Sequence, residues 1–275
     1  MKITDHVLDG CWYKPSPNIS TPPRFAAPPT LIVMHYTAGD SAKAAADWLC
    51  TPGVDASAHV VVDRDGQVLQ IVQFNHRAWH AGTSSWRGRM ACNAFSIGIE
   101  IANWGFCQKR ADGRYYSHAG VQVPADKIVE TRHKNGGPVL GWEIYPKRQL
   151  DAVAELTRVL LKEYPSITDI AGHDDVAPQN KVDPGPAFPM QRFRDLLAPR
   201  ASDAPRIEKR RVIATSLNVR VGPGTQHDVL AGGPLHDGEV VTVLQDAGDW
   251  SLVADNKDRR GWVFDAWLAS LDATP

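Results

Sequence analysis

The stretch that most constrains the fold is Leu31-Ile32-Val33-Met34-His35-Tyr36, a short apolar run that closes on a histidine and a tyrosine. Strands with water on one face alternate apolar and polar residues. A run without that alternation predicts a strand buried on both faces. Open α/β sheets place their ligand-binding crevices at the C-terminal ends of such strands, which is where His35 sits. A lone strand-end histidine is more often structural than a ligand, so His35 gains meaning only if other ligands are found.

Around this run the chain has clear punctuation. Pro15, Pro17, Pro22, Pro23, Pro28 and Pro29 predict an extended lead-in over residues 11–30. Ser41 or Asp40 can cap an alanine-rich helix through about Leu49, which Pro52 and Gly53 stop. Ser57 to Val62 and Val68 to Val72 flank Asp65-Gly66, the signature of a β-hairpin. Trp79 and His80 follow in a loop closed by Gly82, equally suited to lining a cleft or covering core. Residues 105–142 are rich in glycine and polar groups and predict an irregular excursion over the sheet.

Phe95-Ser96-Ile97-Gly98-Ile99-Glu100-Ile101 reads as a second strand with a period of two. Phe95, Ile97, Ile99 and Ile101 share one face, Gly98 and Glu100 the other. Burial beside a glycine would raise the Glu100 pKa and prepare it for proton transfer; a solvent-facing glutamate fits the same pattern. Pro146 suits the first turn of a helix to about Tyr164, with Leu150, Val153, Leu160, Leu161 and Tyr164 on its apolar stripe. Ile167 to Ala171 is a short strand that delivers Gly172-His173, and Phe188 to Leu197 is a last short helix.

Between them lies Gly172 to Pro186, a stretch too rich in proline and glycine to predict a helix, carrying His173, Lys181 and Asp183. With His35 it offers two imidazoles and one carboxylate, a set that can hold zinc with a fourth position open. Lys181 beside such a site can stabilise negative charge on a reacting oxygen, and Glu100 can move the proton. These are the parts of metal-assisted amide hydrolysis. Spacing alone does not choose the amide.

The net charge of −1, from 30 basic and 31 acidic residues, gives no electrostatic case for nucleic acid or an anionic membrane. No apolar run approaches the ~20 residues of a membrane helix. Met1 to Asp9 carries acids where a signal peptide has its apolar core, so no secretion signal is read. Cys11, Cys50, Cys92 and Cys107 lack metal-site spacing and predict reduced thiols. Synthesis in the cytoplasm follows, with action there or, after non-classical export or lysis, at the cell wall. Oligomeric state is not specified.

Pro199 and Pro205 mark a linker, and after it the texture changes to short β segments: Ala214 to Arg220, Glu239 to Leu244, Trp250 to Val253 and Gly261 to Val263. That predicts a small separate β-barrel. Lys209 to Arg211 reads as a solvated charge run. The expected division is a catalytic domain over 1–197, a linker over 198–209 and the barrel over 210–275.

Together, Leu31 to Tyr36, Ala58-His59, Arg77-Ala78-Trp79-His80-Ala81-Gly82, Phe95 to Glu100, Gly172 to Pro178 and Lys181 to Pro186 resemble, in order, the zinc-dependent N-acetylmuramoyl-L-alanine amidases of the Amidase_2 family, relatives of the peptidoglycan recognition proteins. The resemblance covers roughly residues 10–197. It implies an α/β fold with a mixed central β-sheet flanked by helices. It also implies His35, His173 and Asp183 as zinc ligands, Glu100 as general base and Lys181 as the stabilising cation. His59, Trp79 and His80 become candidate walls of the substrate cleft. The implied substrate is the amide between the lactyl group of N-acetylmuramic acid and L-alanine, in peptidoglycan or its muropeptides. A peptidoglycan-binding protein without catalysis, or a zinc peptidase acting on stem peptides, stays open. Leu217 to Gly224, Trp250 and Gly261 to Val263 resemble a bacterial SH3-like domain, a module that usually tethers cell-wall enzymes to peptidoglycan.

Overall fold

Trp12–Tyr13 (β1), Leu31–Tyr36 (β2), Val60–Val62 (β3), Val68–Gln70 (β4), Ser96–Ile101 (β5) and Asp169–Gly172 (β6) form one sheet in the order β6-β2-β5-β3-β4-β1. This is a computed structural model, and it describes residues 1–197 and 208–271. β6, β2, β5 and β3 run parallel, β3 and β4 form an antiparallel hairpin, and β1 lies parallel to β4. The sheet is therefore mixed, and β2 lies inside it, with Leu31, Ile32, Val33 and Met34 all fully buried.

Strand alternation divides the core. Ile32, Met34, Val60, Val62, Ile97, Ile99 and Ile101 turn to one face, where they meet Val153, Leu156 and Leu160 of a helix over Lys147–Glu163. Val61 and Leu69 turn to the other, against Ala42, Ala46 and Leu49 of a helix over Ala42–Leu49. Each large aliphatic side chain buried this way contributes about 1.5–3 kcal/mol. The first helix is capped twice: Ser41 Oγ accepts from Ala44 N–H at 3.3 Å, and the Asp63 carboxylate accepts from Ala42 N–H at 2.9 Å. On the long helix the buried stripe runs through Gln149, Val153, Leu156 and Leu160, with Leu150 and Leu161 at its margins. Gln149 belongs there because its amide donates to the carbonyls of Val62 and Ala102, at 3.2 and 2.9 Å.

Phe95 departs from the expected strand parity. Its backbone, at φ −149° and ψ 15°, leaves the extended region, and its ring joins Leu31, Val33 and Ala171 on the face opposite Ile97, Ile99 and Ile101. The expected irregular excursion is also wrong. Phe106–Lys109, Tyr115–Ser117, Gln122–Val123, Ile128–Arg132 and Val139–Glu143 form a five-stranded sheet of their own. Its strands are only two to five residues long, too short for alternation to stand out, and in Ile128–Arg132 no residue is fully buried. The turns that make it, around Gly113, Gly120 and Gly136, all place glycine at positive φ.

By contacts the chain divides into two units, Met1–Ala198 and Pro199–Pro275. In the second, Glu208–Val212, Val240–Ala247, Trp250–Ala254, Arg260–Phe264 and Leu268–Ser270 form an antiparallel five-stranded sheet around Val212, Leu217, Val219, Leu235, Val241, Val253 and Val263. The expected strand over Ala214 to Arg220 is instead irregular, joined by single bridges from Leu217 to Leu235 and from Arg220 to Val229 and Trp262. Of the expected linker, 198–207 lies outside the described residues. Glu208 and Lys209 already belong to the first strand, as do the charged Arg210 and Arg211.

Candidate active site

The candidate site forms where β2, β5 and β6 end. His35 is the fifth residue of β2, and Glu100 is its register partner on β5. His173 follows the last residue of β6 and opens a single helical turn, His173–Val176, where no helix was expected. That turn is held by the Asp175 carboxylate, which accepts from Gly172 N–H at 2.8 Å and pairs with Arg194 and Lys134 at 2.7 and 2.6 Å. Asp183 returns to the site on the following loop. Its carbonyl accepts from Asp174 N–H at 2.7 Å, and the next carbonyl, Pro184 O, accepts from the buried Tyr145 hydroxyl at 2.8 Å.

Three ligand atoms converge. His35 Nδ1 and His173 Nδ1 are 3.0 Å apart, and Asp183 Oδ2 lies 3.1 and 3.0 Å from them. Hydrogen bonds cannot satisfy this triangle. It has three contacts, a carboxylate brings no proton, and each neutral imidazole brings at most one to that corner. Tetrahedral sites with bonds of about 2.0–2.2 Å have ligand-to-ligand edges of about 3.3–3.6 Å. The observed edges of 3.0 and 3.1 Å are a few tenths of an ångström shorter, but the donor set of two imidazole nitrogens and a carboxylate oxygen is one that could hold a metal cation. His173 Nε2 is buried with no partner.

The electrostatics agree. Burial pushes the His35 pKa down to about 4, with the His173 imidazole adding to the shift and Asp183 opposing it. Burial alone would raise the Asp183 carboxyl, but the ring nitrogens of His173 and His35 outweigh it and hold the group below the usual range. His35 and Asp183 thus stay in the form that binds a cation. Glu100 behaves oppositely: burial and the nearby Asp183 charge push its pKa well up, with Lys181 opposing, and its Oε2 has no hydrogen-bond partner. Among the described residues no hydrogen bond or ion pair engages the Lys181 ammonium.

Two openings flank the site. One, of ≈ 250 Å³, has Glu100 in its lining with Tyr36, Ser41, Ala45 and the exposed Trp48. The other, of ≈ 530 Å³, is lined by Asp55, Trp79, His80, Asn93, His173 and Lys181. Trp79 and His80 thus border a cleft. His59 does not: it is fully buried, Nδ1 accepts from Gly98 N–H at 3.0 Å, and Nε2 meets His76 O at 2.9 Å. With both nitrogens engaged by backbone, His59 is a core histidine that ties β5 to the short strand His76–Ala78, not a wall of the cleft.

Sequence reading missed the strap behind the triangle of His35, His173 and Asp183. His133 Nε2 and Lys134 Nζ meet the buried Asp174 carboxylate at 3.0 and 2.8 Å, and Asn135 donates to Asp174 O at 2.9 Å. These residues belong to the turn between two strands of the second sheet, and no local signal links them to a loop some 40 positions away.

The family model described as N-acetylmuramoyl-L-alanine amidase matches residues 25–186, and one described as bacterial SH3 domain matches residues 215–269. The 1,6-anhydro-N-acetylmuramyl-L-alanine amidase AmpD of Salmonella typhimurium (strain SL1344) is 37% identical over 52% of this chain, although the match spans only 57% of that protein. AmpD of Escherichia coli (strain K12) is 33% identical over 70% of this chain and 94% of its own length. A crystal structure of a selenomethionine AmpD derivative superposes with a TM-score of 0.50 at 28% identity, covering 72% of this chain and all of the other. With a family match over more than half its length, the chain belongs to the N-acetylmuramoyl-L-alanine amidase family and carries a bacterial SH3 domain after it.

Proposed function

We propose that the protein is a zinc-dependent hydrolase that cleaves the amide between the lactyl group of N-acetylmuramic acid and L-alanine in peptidoglycan muropeptides. The observation that carries this reading is the triangle of His35, His173 and Asp183 with an uncommitted Glu100 and Lys181 beside it. When bound, zinc supplies Lewis acidity, making hydroxide available near neutral pH and polarising the substrate carbonyl. Glu100, whose raised pKa lets it both take and return a proton, removes one from the attacking water as oxygen bonds to the carbonyl carbon. Lys181 stabilises the negative charge that develops on the carbonyl oxygen. As the C–N bond breaks, Glu100 delivers its proton to the departing amine of L-alanine. Trp79 borders the cleft that holds the substrate.

Metal content tests the ligand set. The parent chain is expected to hold about one zinc, and His173→Ala to lose it together with activity, while a variant that keeps both contradicts the assignment.

The division into a catalytic domain over 1–197 and an SH3-like domain is part of this proposal, with the second domain opening at the strand Glu208–Val212 rather than at 210. In the second unit an opening lined by Trp250, Phe264, Trp267, Asn218 and Arg220 supports a wall-tethering role. Truncation after Ala198 is expected to weaken sedimentation with sacculi and leave turnover of a small soluble muropeptide unchanged. Equal sedimentation contradicts the tether. The AmpD relatives' names specify a 1,6-anhydro sugar, which supports an anhydro-muropeptide as the small substrate.

A further inference from the structure

We propose that His80 is the positioning residue for the metal ligand His35, fixing it in the tautomer that carries its proton on Nε2 and leaves Nδ1 bare toward His173 and Asp183. The inference rests on the metal reading above and changes the part expected of His80, from a wall of the cleft to a support of the ligand.

The proton positions follow from the far end of a hydrogen-bonded chain. His80 Nε2 faces two oxygens of Ser96, the carbonyl at 3.3 Å and Oγ at 3.2 Å. A carbonyl only accepts. The Ser96 hydroxyl has one proton and donates it to Cys92 O at 2.6 Å, so its Oγ also offers a lone pair to His80. Nε2 of His80 must therefore carry the hydrogen. A neutral imidazole has one N–H, which makes His80 Nδ1 an acceptor. It lies 3.0 Å from His35 Nε2, and this contact is a hydrogen bond only if His35 donates. The one proton of His35 is then spent on Nε2, and Nδ1 presents its lone pair to the ligand triangle.

His80 is buried, and the imidazole of His59 meets its ring at 5.8 Å between centroids. The ring is also held in place. Asn93 Oδ1 accepts from His80 N–H and Ala81 N–H at 3.1 and 2.8 Å, and the ring lies against Gly98, where a Cβ would stand 2.3 Å from His80 Cγ. His35 and His80 meet edge to face at 5.1 Å between centroids.

Without this acceptor the balance at His35 reverses. A buried Nε2–H would lose its partner, while an Nδ1–H would find Asp183 Oδ2 at 3.1 Å. That second tautomer blocks the nitrogen a cation needs. Partners of this kind are typically worth ~10–100-fold in metal affinity.

The test uses the full-length chain with ¹⁵N-labelled imidazoles, metal-free, and reads each tautomer from long-range ¹⁵N–¹H correlations. Both His35 and His80 are expected as Nε2–H; an Nδ1–H on His35 overturns the proposal. In His80→Phe, His35 is expected to move to Nδ1–H, and zinc affinity, measured by competition with a chelator, to fall ~10–100-fold. His80→Asn keeps an acceptor near the Nδ1 position and is expected to recover most of the loss. Parent-like affinity in His80→Phe overturns the proposal, and if that variant does not fold, the parent spectrum decides. Because the tautomer is read without metal, a parent chain that binds no zinc would defeat the function proposed above and leave this question answered separately.

Discussion

Gly98 and His80 share one space: a Cβ on Gly98 would stand 2.3 Å from His80 Cγ and 2.6 Å from Nδ1. The glycine in the middle of β5 is thus explained by the ring on top of it rather than by a turn, since its φ is not positive. Glycine inside a strand often marks such a close approach.

Gly98→Ala should accordingly act at the metal site although it touches no ligand. Overpacking of this kind costs ~1–3 kcal/mol. We expect a lower urea midpoint and weaker zinc binding, since the displaced ring is the one that meets His35. A variant with parent-like stability and zinc affinity contradicts this packing.

Glu100→Gln should separate chemistry from metal binding. The side chain has Asp183 and Lys181 in electrostatic range but is not one of the converging ligands. We expect retained zinc and turnover lowered by ~10²–10⁴-fold, the usual worth of a general base. Near-normal turnover in a zinc-loaded variant assigns the base to another group.

His59 gives a pH dependence with a definite sign. Burial lowers its pKa from 6.5 to about 4, and Nδ1 already accepts from Gly98 N–H, so protonation there would break a bond to β5. A folded-state pKa below the unfolded one means that the unfolded chain binds more protons in between. The stability is complete above pH 6.5 and is lost as pH falls toward 4. The contribution lost between pH 7.5 and 5 is roughly 2 kcal/mol. Urea unfolding of the metal-free parent should show a steeper loss over this range than His59→Gln, in which the position cannot titrate. Equal losses contradict the assignment.

The residues show what could be read from sequence and what could not. β2 was legible because an apolar run of that length has few alternatives to a central strand, and the parity of Ile97, Ile99, Ile101 and Glu100 held. Phe95 broke parity through one backbone angle that no composition signals. The second sheet stayed hidden because its strands are only two to five residues long, although glycine at its turns was available as a signal. At the site, His35, His173, Asp183, Glu100 and Lys181 were named from their donor chemistry and again from the resemblance, and they lie together in the structure. His59 and His80 needed coordinates: one is enclosed by backbone, the other stands behind a ligand, and both look alike in a linear chain. The strap of His133 and Lys134 on Asp174 depends on tertiary contact alone.

The central claim is that this chain cleaves one particular amide. The measurement that tests it most directly is the mass of the products formed when the zinc-loaded protein digests a defined soluble anhydro-muropeptide. The account predicts two products, the intact sugar with its lactyl carboxylate free and a stem peptide beginning at L-alanine, together heavier than the substrate by one water, and neither with His173→Ala. Fragments cut within the peptide or the glycan, loss of acetate, or substrate left intact would contradict it.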